Sequence, residues 1–102
     1  MVDDCLAPRL RRLPRVRVLG VDVALASRFD ARLLGLAWLS RREAGSGLLI
    51  PGCASVHTFG MRFPLDLLFL DECGLPLATH RGVPRRRLIA HRDAAAVLEI
   101  PA

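Results

Sequence analysis

The sequence contains no lysine, asparagine, glutamine or tyrosine, and aromatic residues make up only 5% of it. All fifteen basic residues are therefore arginines, a bias better explained by a GC-rich coding sequence than by selection for guanidinium chemistry. Aromatic side chains do not alternate with the arginine clusters at 9–17 and 85–87, as the stacking platforms of single-strand binders require. The net charge of +5 and the pI near 10.9 predict a general attraction to polyanions, and no dedicated nucleic-acid site is predicted.

Long apolar runs and paired cysteines are also lacking. No apolar run approaches the roughly 20 residues that span a bilayer. The three cysteines are an odd number with wide spacing, and the histidines occur singly, so we predict free thiols, no metal and no cofactor. Arginines before an apolar segment resemble a signal peptide, but Arg17 and Asp22 interrupt that segment. We therefore predict a cytoplasmic protein.

What the sequence does contain fits one domain. At 102 residues and 52% apolar composition, the chain can bury roughly two-thirds of its unfolded surface in a single core. Residues 1–14 show no periodicity that would bury one face, so we predict a loose N-terminal arm there. Residues 15–102 are predicted to form a single β-rich domain.

The apolar pattern predicts mostly strands. A strand pair is expected over residues 15–26, with a turn at Leu19 and Gly20. Further strands are expected at 47–51, 53–59, 65–70, 75–83 and 94–100, and a hairpin turn at 71–74. Asp30 is predicted to cap one helix, running from residue 31 to about residue 42. The predicted class is α+β and predominantly antiparallel, with a small barrel-like or strongly curved sheet and one short helix packed on it.

Reactive side chains are concentrated between Cys53 and Asp71. His57 can exchange a proton near neutral pH, although a histidine that is only hydrogen-bonded to backbone is the alternative. Asp66 lies among leucines, so its carboxylate must find donors or a cation, or stay protonated. Arg62, the amides at the Gly60 bend and His57 are the candidate partners, and a purely structural role for Asp66 remains open.

Cys53 is the only thiol that could work with His57. In a regular strand the two residues lie about 13 Å apart. Direct activation of the thiol would then require a bulge or turn at Cys53. The sequence therefore retains Cys53 only as a minor candidate for a nucleophile.

Several motifs together resemble the domain of unknown function 192 family, which comprises uncharacterised bacterial and archaeal proteins. They are Gly47-Leu-Leu-Ile-Pro51, Ser55-Val-His-Thr-Phe-Gly-Met-Arg-Phe-Pro-Leu-Asp66, Leu68-Phe-Leu-Asp71 and Val97-Leu-Glu99. The run from His57 to Met61 replaces the commoner aromatic-Met-Lys-Asn-Thr version, as in a subgroup of the family. The Met-x-Arg that usually follows the early Gly-Leu is missing, because residues 37–39 are Ala-Trp-Leu. The resemblance implies a compact, strand-dominated domain with one short helix and no established activity.

Three functions are compatible with these residues. The leading hypothesis is a non-enzymatic binding or accessory module, in which His57, Thr58, Arg62 and Asp66 line a small polar recess for a small ligand or a protein segment. It leads because no set of nucleophile, base and oxyanion donors is evident. The alternatives are a hydrolase, with His57 as the base and Asp66 orienting it, and nonspecific nucleic-acid binding through the arginine clusters.

Overall fold

The computed structural model describes residues 5–102, and β-strands make up most of its regular structure. The elements in chain order are α1 (Pro8–Arg11), β1 (Arg15–Val18), β2 (Val21–Leu25), α2 (Phe29–Leu34), α3 (Arg41–Ala44), β3 (Leu48–Pro51), β4 (Ser55–His57), β5 (Leu65–Leu70), β6 (Pro76–Val83), β7 (Leu88–Ala90) and β8 (Ala96–Pro101).

Six of the strands form one sheet in the order β1-β2-β3-β8-β5-β6. All neighbouring pairs are antiparallel except β2 and β3, which are parallel. Strands β4 and β7 form a separate antiparallel pair. The predicted α+β, mainly antiparallel class is confirmed, but the barrel-like closure is not, because β1 and β6 are the edges of the sheet in the described part of the chain.

Both predicted hairpin turns are present. Leu19 and Gly20, with φ of 51° and 81°, join β1 to β2. At the second turn, Oδ1 of Asp71 accepts hydrogen bonds from the backbone N–H groups of Cys73 (2.8 Å) and Leu75 (3.0 Å). Glycine in the first turn, and Asp71 and Gly74 in the second, are turn signals between alternating strands, which is why both turns could be predicted.

The single predicted helix over residues 31–42 is wrong. Helix α2 begins at Phe29, so Asp30 lies inside it, and it ends at Leu34. Gly35 and Trp38 have φ of 54° and 69°, and the N–H of Trp38 donates to the carbonyl of Gly60 instead of continuing a helix. A tertiary contact therefore divides this apolar segment into α2, a turn at residues 35–38 and α3.

The predicted strand over residues 53–59 is also longer than the observed one. Only Ser55–His57 form β4. Gly52, with φ of 63°, turns the chain just before it, so Cys53 lies in a connecting segment. The distance of about 13 Å expected for a regular strand does not apply to Cys53 and His57.

The core lies mainly on one face of the six-stranded sheet. Leu48, Leu67, Phe69 and Val97 are all fully buried in it. A smaller cluster, centred on Val23, Leu70 and Leu98, lies apart from it. Because side chains alternate along a strand, Val97 and Glu99 of β8 share the main core face, while Leu98 points to the other.

Residues 5–14 contribute to this core through α1, whose Leu10 is buried against it. Residues 1–4 of the predicted arm lie outside the described residues, and the division of the chain at residue 15 stays a prediction. No helix in the described part of the chain is both long and apolar enough to cross a lipid bilayer.

Candidate functional site

Glu99 is a carboxyl group placed in the apolar interior. Its register partners in the neighbouring strands are Leu48 and Leu67, both fully buried. The Glu99 residue itself is only 3% exposed. Its Oε1 atom has no hydrogen-bond partner within the described residues. A polar atom buried in this way costs free energy unless something else satisfies it.

Glu99 is one of the residues that line a cleft. The part of the cleft at Glu99, here called the inner part, has a volume of about 60 Å³ and is lined by side chains from α2, β3, β4 and β8, among them Arg32, Ile50, Cys53, His57 and Glu99. An outer part of about 350 Å³ shares Arg32, Ile50 and Cys53 with it and is also lined by Gly52. Because the two parts share these residues, they adjoin and form one groove.

Burial changes the protonation of Glu99. Desolvation raises the pKa of its carboxyl group to about 7, while a hydrogen bond from the backbone N–H of Leu36 opposes the rise. Relative to the ordinary value of 4.5, this corresponds to about 3 kcal/mol in favour of the neutral form. Near neutral pH the group therefore exists in both forms, and either could meet a ligand.

Gly35 allows the turn after α2 to approach this carboxyl group. Its φ of 54° and ψ of −130° lie in a region that residues with a side chain rarely adopt. A Cβ atom there would lie 2.9 Å from Oε1 of Glu99. Only glycine fits this position without displacing the carboxyl group.

Arg9 of α1 binds the backbone of the same turn. Its Nη2 atom donates to the carbonyl of Gly35 at 3.1 Å and also to that of Ala37. Burial lowers the pKa of the Arg9 guanidinium, and the Glu43 carboxylate opposes this change. Arg9 thus satisfies carbonyl groups at a turn where the helix hydrogen bonds stop.

His57 and Cys53 both line the inner cleft. The imidazole of His57 is exposed and lies 5.9 Å from the Phe59 ring, centroid to centroid. The thiol of Cys53 donates to the carbonyl of Ser55 at 3.0 Å. The turn at Gly52 therefore brings Cys53 to the same cleft as His57, although no hydrogen bond joins their side chains among residues 5–102.

Asp66 lies elsewhere and has other partners than those predicted. Its Oδ1 accepts a hydrogen bond from the N–H of Gly82 at 2.8 Å, and its Oδ2 lies 3.5 Å from Nη1 of Arg81. Neither Arg62, the Gly60 bend nor His57 is bonded to it in the described part of the chain. Asp66 therefore ties β5 to β6 across an irregularity in their register.

Thr58 and Arg62 also lie apart from the carboxyl end of the cleft. Thr58 is fully buried, and its hydroxyl donates to the carbonyl of Pro84 (2.7 Å) and accepts from the N–H of Arg87 (2.8 Å). Hydrogen bonds from Ser40 lower the pKa of Glu43, and the charge of Arg62 lowers it further. This interaction places Arg62 near α3.

The structure thus brings together His57 and Cys53 of the predicted residues, and adds Glu99 and Arg32. No group of three or more potential metal ligands is found among the residues that the structure describes. The sequence did hold a signal for Glu99, because it is the one acidic residue in the apolar segment 94–100. As for Asp66, a carboxylate among apolar residues must find donors or a cation, or stay protonated.

The fold and this cleft define a small α+β domain with a buried acidic group that lines an open groove. The chain belongs to the DUF192 family, described as uncharacterized ACR, whose profile matches residues 14–102. The subgroup suggested by the His57–Met61 run stays a prediction.

Two solved structures share this fold. One is a protein from Sinorhizobium meliloti 1021 described as a candidate transcription regulator, with a TM-score of 0.70 and 24% identity over 86% of this chain and 78% of that one. The other, from Novosphingobium aromaticivorans DSM 12444, is a protein of unknown function with a TM-score of 0.62 and 19% identity over 86% of this chain and 71% of that one. No curated protein matches the chain.

Proposed function

We propose that this domain is a non-enzymatic module that binds a small ligand in the groove that Glu99 lines. The observation that carries the proposal is Glu99, which lines the cleft and whose buried Oε1 atom accepts no hydrogen bond from the described residues. A ligand that reaches the carboxyl group would remove part of the cost of burying it. The outer volume of about 350 Å³ suits a metabolite-sized molecule.

The position of His57 supports a role at the same site. It is exposed at the cleft, where an imidazole can donate to or accept from a ligand. Asp66, with both carboxylate oxygens occupied by Gly82 and Arg81, is not included. The hydrolase alternative needed Asp66 to orient His57, and the geometry gives that pairing no support.

Thermal-shift screening with panels of metabolites and metal ions tests the proposal. We expect a ligand that raises the Tm of the wild type and fails to raise the Tm of Glu99→Gln. The effect should be weakened in His57→Ala. Asp66→Asn is the matched control, because it also neutralises a carboxylate in a strand but leaves the groove intact, and its ligand-induced shift should equal that of the wild type.

Alkylation of the cysteines shows where such a ligand sits. The Cys53 thiol lines the groove, whereas Cys73 is exposed in the turn between β5 and β6. A groove ligand should slow alkylation of Cys53 and leave Cys73 unaffected. A ligand whose stabilising effect survives Glu99→Gln, or which leaves Cys53 unprotected, would place binding elsewhere and contradict the proposal.

The cytoplasmic location predicted from the sequence stays a prediction. A protein segment as the ligand is not part of the proposal, because the inner cleft, at about 60 Å³, admits only a small chemical group.

A further inference from the structure

Three large apolar side chains are exposed on one surface of the molecule, around the bend at Gly60. Trp38 is 68% exposed, Phe59 is 53% exposed and Leu88 is 71% exposed. A Cβ atom on Gly60 would lie 3.1 Å from the Cε2 and Cζ2 atoms of Trp38, so the indole packs against the Gly60 backbone. Phe59 is the residue just before Gly60. Trp38 and Phe59 are therefore neighbours on the surface.

Leu88 belongs to the same surface through His57. The imidazole of His57 lies 5.9 Å from the Phe59 ring, centroid to centroid, and Leu88 is its directly opposite partner in the pairing of β4 with β7. Side chains of opposite residues project from the same face of a sheet. We call Trp38, Phe59 and Leu88 the exposed apolar patch. Single exposed apolar residues are common, whereas a contiguous group of them marks an interaction site.

The basic segment 84–87 is fixed beside this patch by Thr58. The N–H of Thr58 donates to the carbonyl of Arg87 at 2.8 Å, and its buried hydroxyl bonds to Pro84 and Arg87. Because Thr58 directly precedes Phe59, these hydrogen bonds place the three exposed arginines at 85–87 at the border of the exposed apolar patch.

The charge of this surface has one sign. The segments that form it, residues 35–38, 57–62 and 84–88, contain four arginines and no aspartate or glutamate. One of the four, Arg62, also faces Glu43, so the three consecutive arginines carry most of the argument. A partner that complements this surface is apolar where it meets the patch and anionic where it meets the arginines.

Two residues of this surface are held in an uncommon backbone conformation. Trp38 has a φ of 69° and Arg86 a φ of 63°, in a region that residues with a side chain rarely adopt. The Trp38 conformation is fixed by the hydrogen bond from its N–H to the carbonyl of Gly60 at 2.9 Å. An indole that stays largely exposed gains little from burial, so its own packing does not explain this conformation. Backbone outliers of this kind cluster at functional sites.

We propose that this surface binds reversibly to an anionic lipid bilayer. Trp38, Phe59 and Leu88 enter the interfacial layer, and the arginines at 85–87 contact the anionic headgroups. A bilayer offers apolar depth and negative charge within one layer, and tryptophan is enriched at that boundary in membrane proteins. Peptide partners instead use grooves or sheet edges, and the exposed apolar patch lines neither part of the groove. This inference is independent of the ligand proposed for the groove.

The fluorescence of the full chain reports directly on the patch, because Trp38 is the only tryptophan and tyrosine is absent. The probe is a phosphatidylcholine vesicle containing about 30% phosphatidylglycerol, which gives the negative surface that attracts basic segments. We expect the Trp38 emission to shift to shorter wavelength and to become protected from quenching by acrylamide. Vesicles of pure phosphatidylcholine should produce a much smaller change.

Apolar variants test the contribution of the patch, with co-sedimentation as the measurement. Trp38→Ala and Leu88→Ser should each lower the affinity for the anionic vesicles about tenfold, because each removes a large apolar side chain from the interfacial layer. Leu75→Ser is the control. Leu75 is also exposed, at 58%, in the turn between β5 and β6, and its variant should bind as the wild type does.

Charge variants test the basic segment. The double variant Arg85→Gln with Arg87→Gln should lose roughly thirtyfold in affinity, about fivefold for each arginine. The control is Arg15→Gln with Arg17→Gln, which changes the net charge equally in the edge strand β1, where both residues are exposed. Its affinity should stay within about threefold of the wild type, because charges beyond a Debye length are screened.

Three results would overturn the inference. The first is a Trp38 emission that does not change at saturating anionic vesicles. The second is vesicle binding that Trp38→Ala and Leu88→Ser leave intact, which would reduce the interaction to charge alone. The third is an acidic peptide that shifts the Trp38 emission while the vesicles do not, which would assign the surface to a protein partner. Glu99→Gln should bind the vesicles as the wild type does, so this inference and the proposed function can fail separately.

Discussion

At the scale of the residue, the most unusual feature is a buried carboxyl group that forms no ion pair with the described residues. Glu99 lies between two fully buried leucines on the main core face. Such a position is destabilising when the group is charged. The domain therefore keeps a group in the lining of its groove that a hydrophobic residue could replace with a gain in stability.

The first prediction concerns the pH dependence of stability. Because burial raises the pKa of Glu99 from 4.5 to about 7, the native state binds its proton more tightly than the unfolded chain does. This contribution to stability is complete below about pH 4.5 and is lost as the pH rises through about 7. Urea unfolding of the wild type should therefore show a loss of up to about 3 kcal/mol between these limits, relative to Glu99→Gln.

Glu72→Gln is the control for that measurement. Glu72 is exposed in the turn between β5 and β6. Removing its charge should therefore leave the pH dependence of the unfolding free energy as it is in the wild type. A wild type and a Glu99→Gln variant whose unfolding free energies run parallel from about pH 5 to about pH 9 would show that Glu99 is not held neutral by burial.

The contrast between Glu99 and Asp66 shows how far the sequence could go. Each is the single acidic residue in an apolar strand, so the search for a carboxylate within an apolar segment finds both as candidate site residues. The register irregularity in the pairing of β5 with β6 accompanies the hydrogen bond from the Gly82 N–H to Asp66, whereas Glu99 faces leucines in two regular ladders. Which carboxylate finds a partner depends on how the strands pair, and the local sequence pattern around each carboxylate does not reveal that pairing.

At the scale of the element, the strands were largely predictable and the helices were not. The pattern of β5, its hairpin turn and the strand pair β1–β2 follow from alternation and from local turn residues. The segment 31–42 has apolar residues throughout, yet Leu33 is 63% exposed while Leu36 is 1% exposed. The break at Gly35 arises from contacts with Glu99, Arg9 and Gly60, none of which lies near it in sequence.

The second prediction tests that break. Gly35→Ala places a Cβ 2.9 Å from Oε1 of Glu99 in a backbone region reserved for glycine. We expect a loss of about 2–4 kcal/mol in unfolding free energy from strain and the contact together, and loss of ligand binding at the groove. Chemical unfolding and the thermal-shift screen measure the two effects.

Gly82→Ala is the matched control for the backbone strain. Gly82 has a similar φ of 60°, with nothing within 4 Å of its Cβ position, and alanine keeps the N–H that Asp66 accepts from. Its cost should be limited to about 1–2 kcal/mol of strain, with ligand binding retained. Equal costs for the two variants would mean that the approach of Gly35 to Glu99 is unimportant.

At the scale of the whole molecule, the excess of arginine is divided between internal contacts and solvent. Arg9 and Arg32 donate hydrogen bonds to the carbonyls of Gly35 and Gly52. The Nε atom of Arg15 lies 3.6 Å from Oδ1 of Asp22. Arg85, Arg86 and Arg87 are exposed in the segment before β7. Of these arginines, the three at 85–87 are therefore the ones that lie next to one another, exposed, as a basic segment.

The third prediction follows from this distribution of charge. If the segment 85–87 supplies three phosphate contacts, the affinity for DNA should fall roughly fortyfold when the salt concentration rises fourfold, for example from about 50 to about 200 mM. Arg85→Gln should reduce the slope of log affinity against log salt concentration by about one unit, the share of one phosphate contact, with no change in preference among sequences. Fluorescence anisotropy with duplex and single-stranded oligonucleotides measures both. Affinity that persists at the higher salt, or that distinguishes one sequence from another, would reveal a dedicated nucleic-acid surface and contradict the assignment of these arginines to solvated charge.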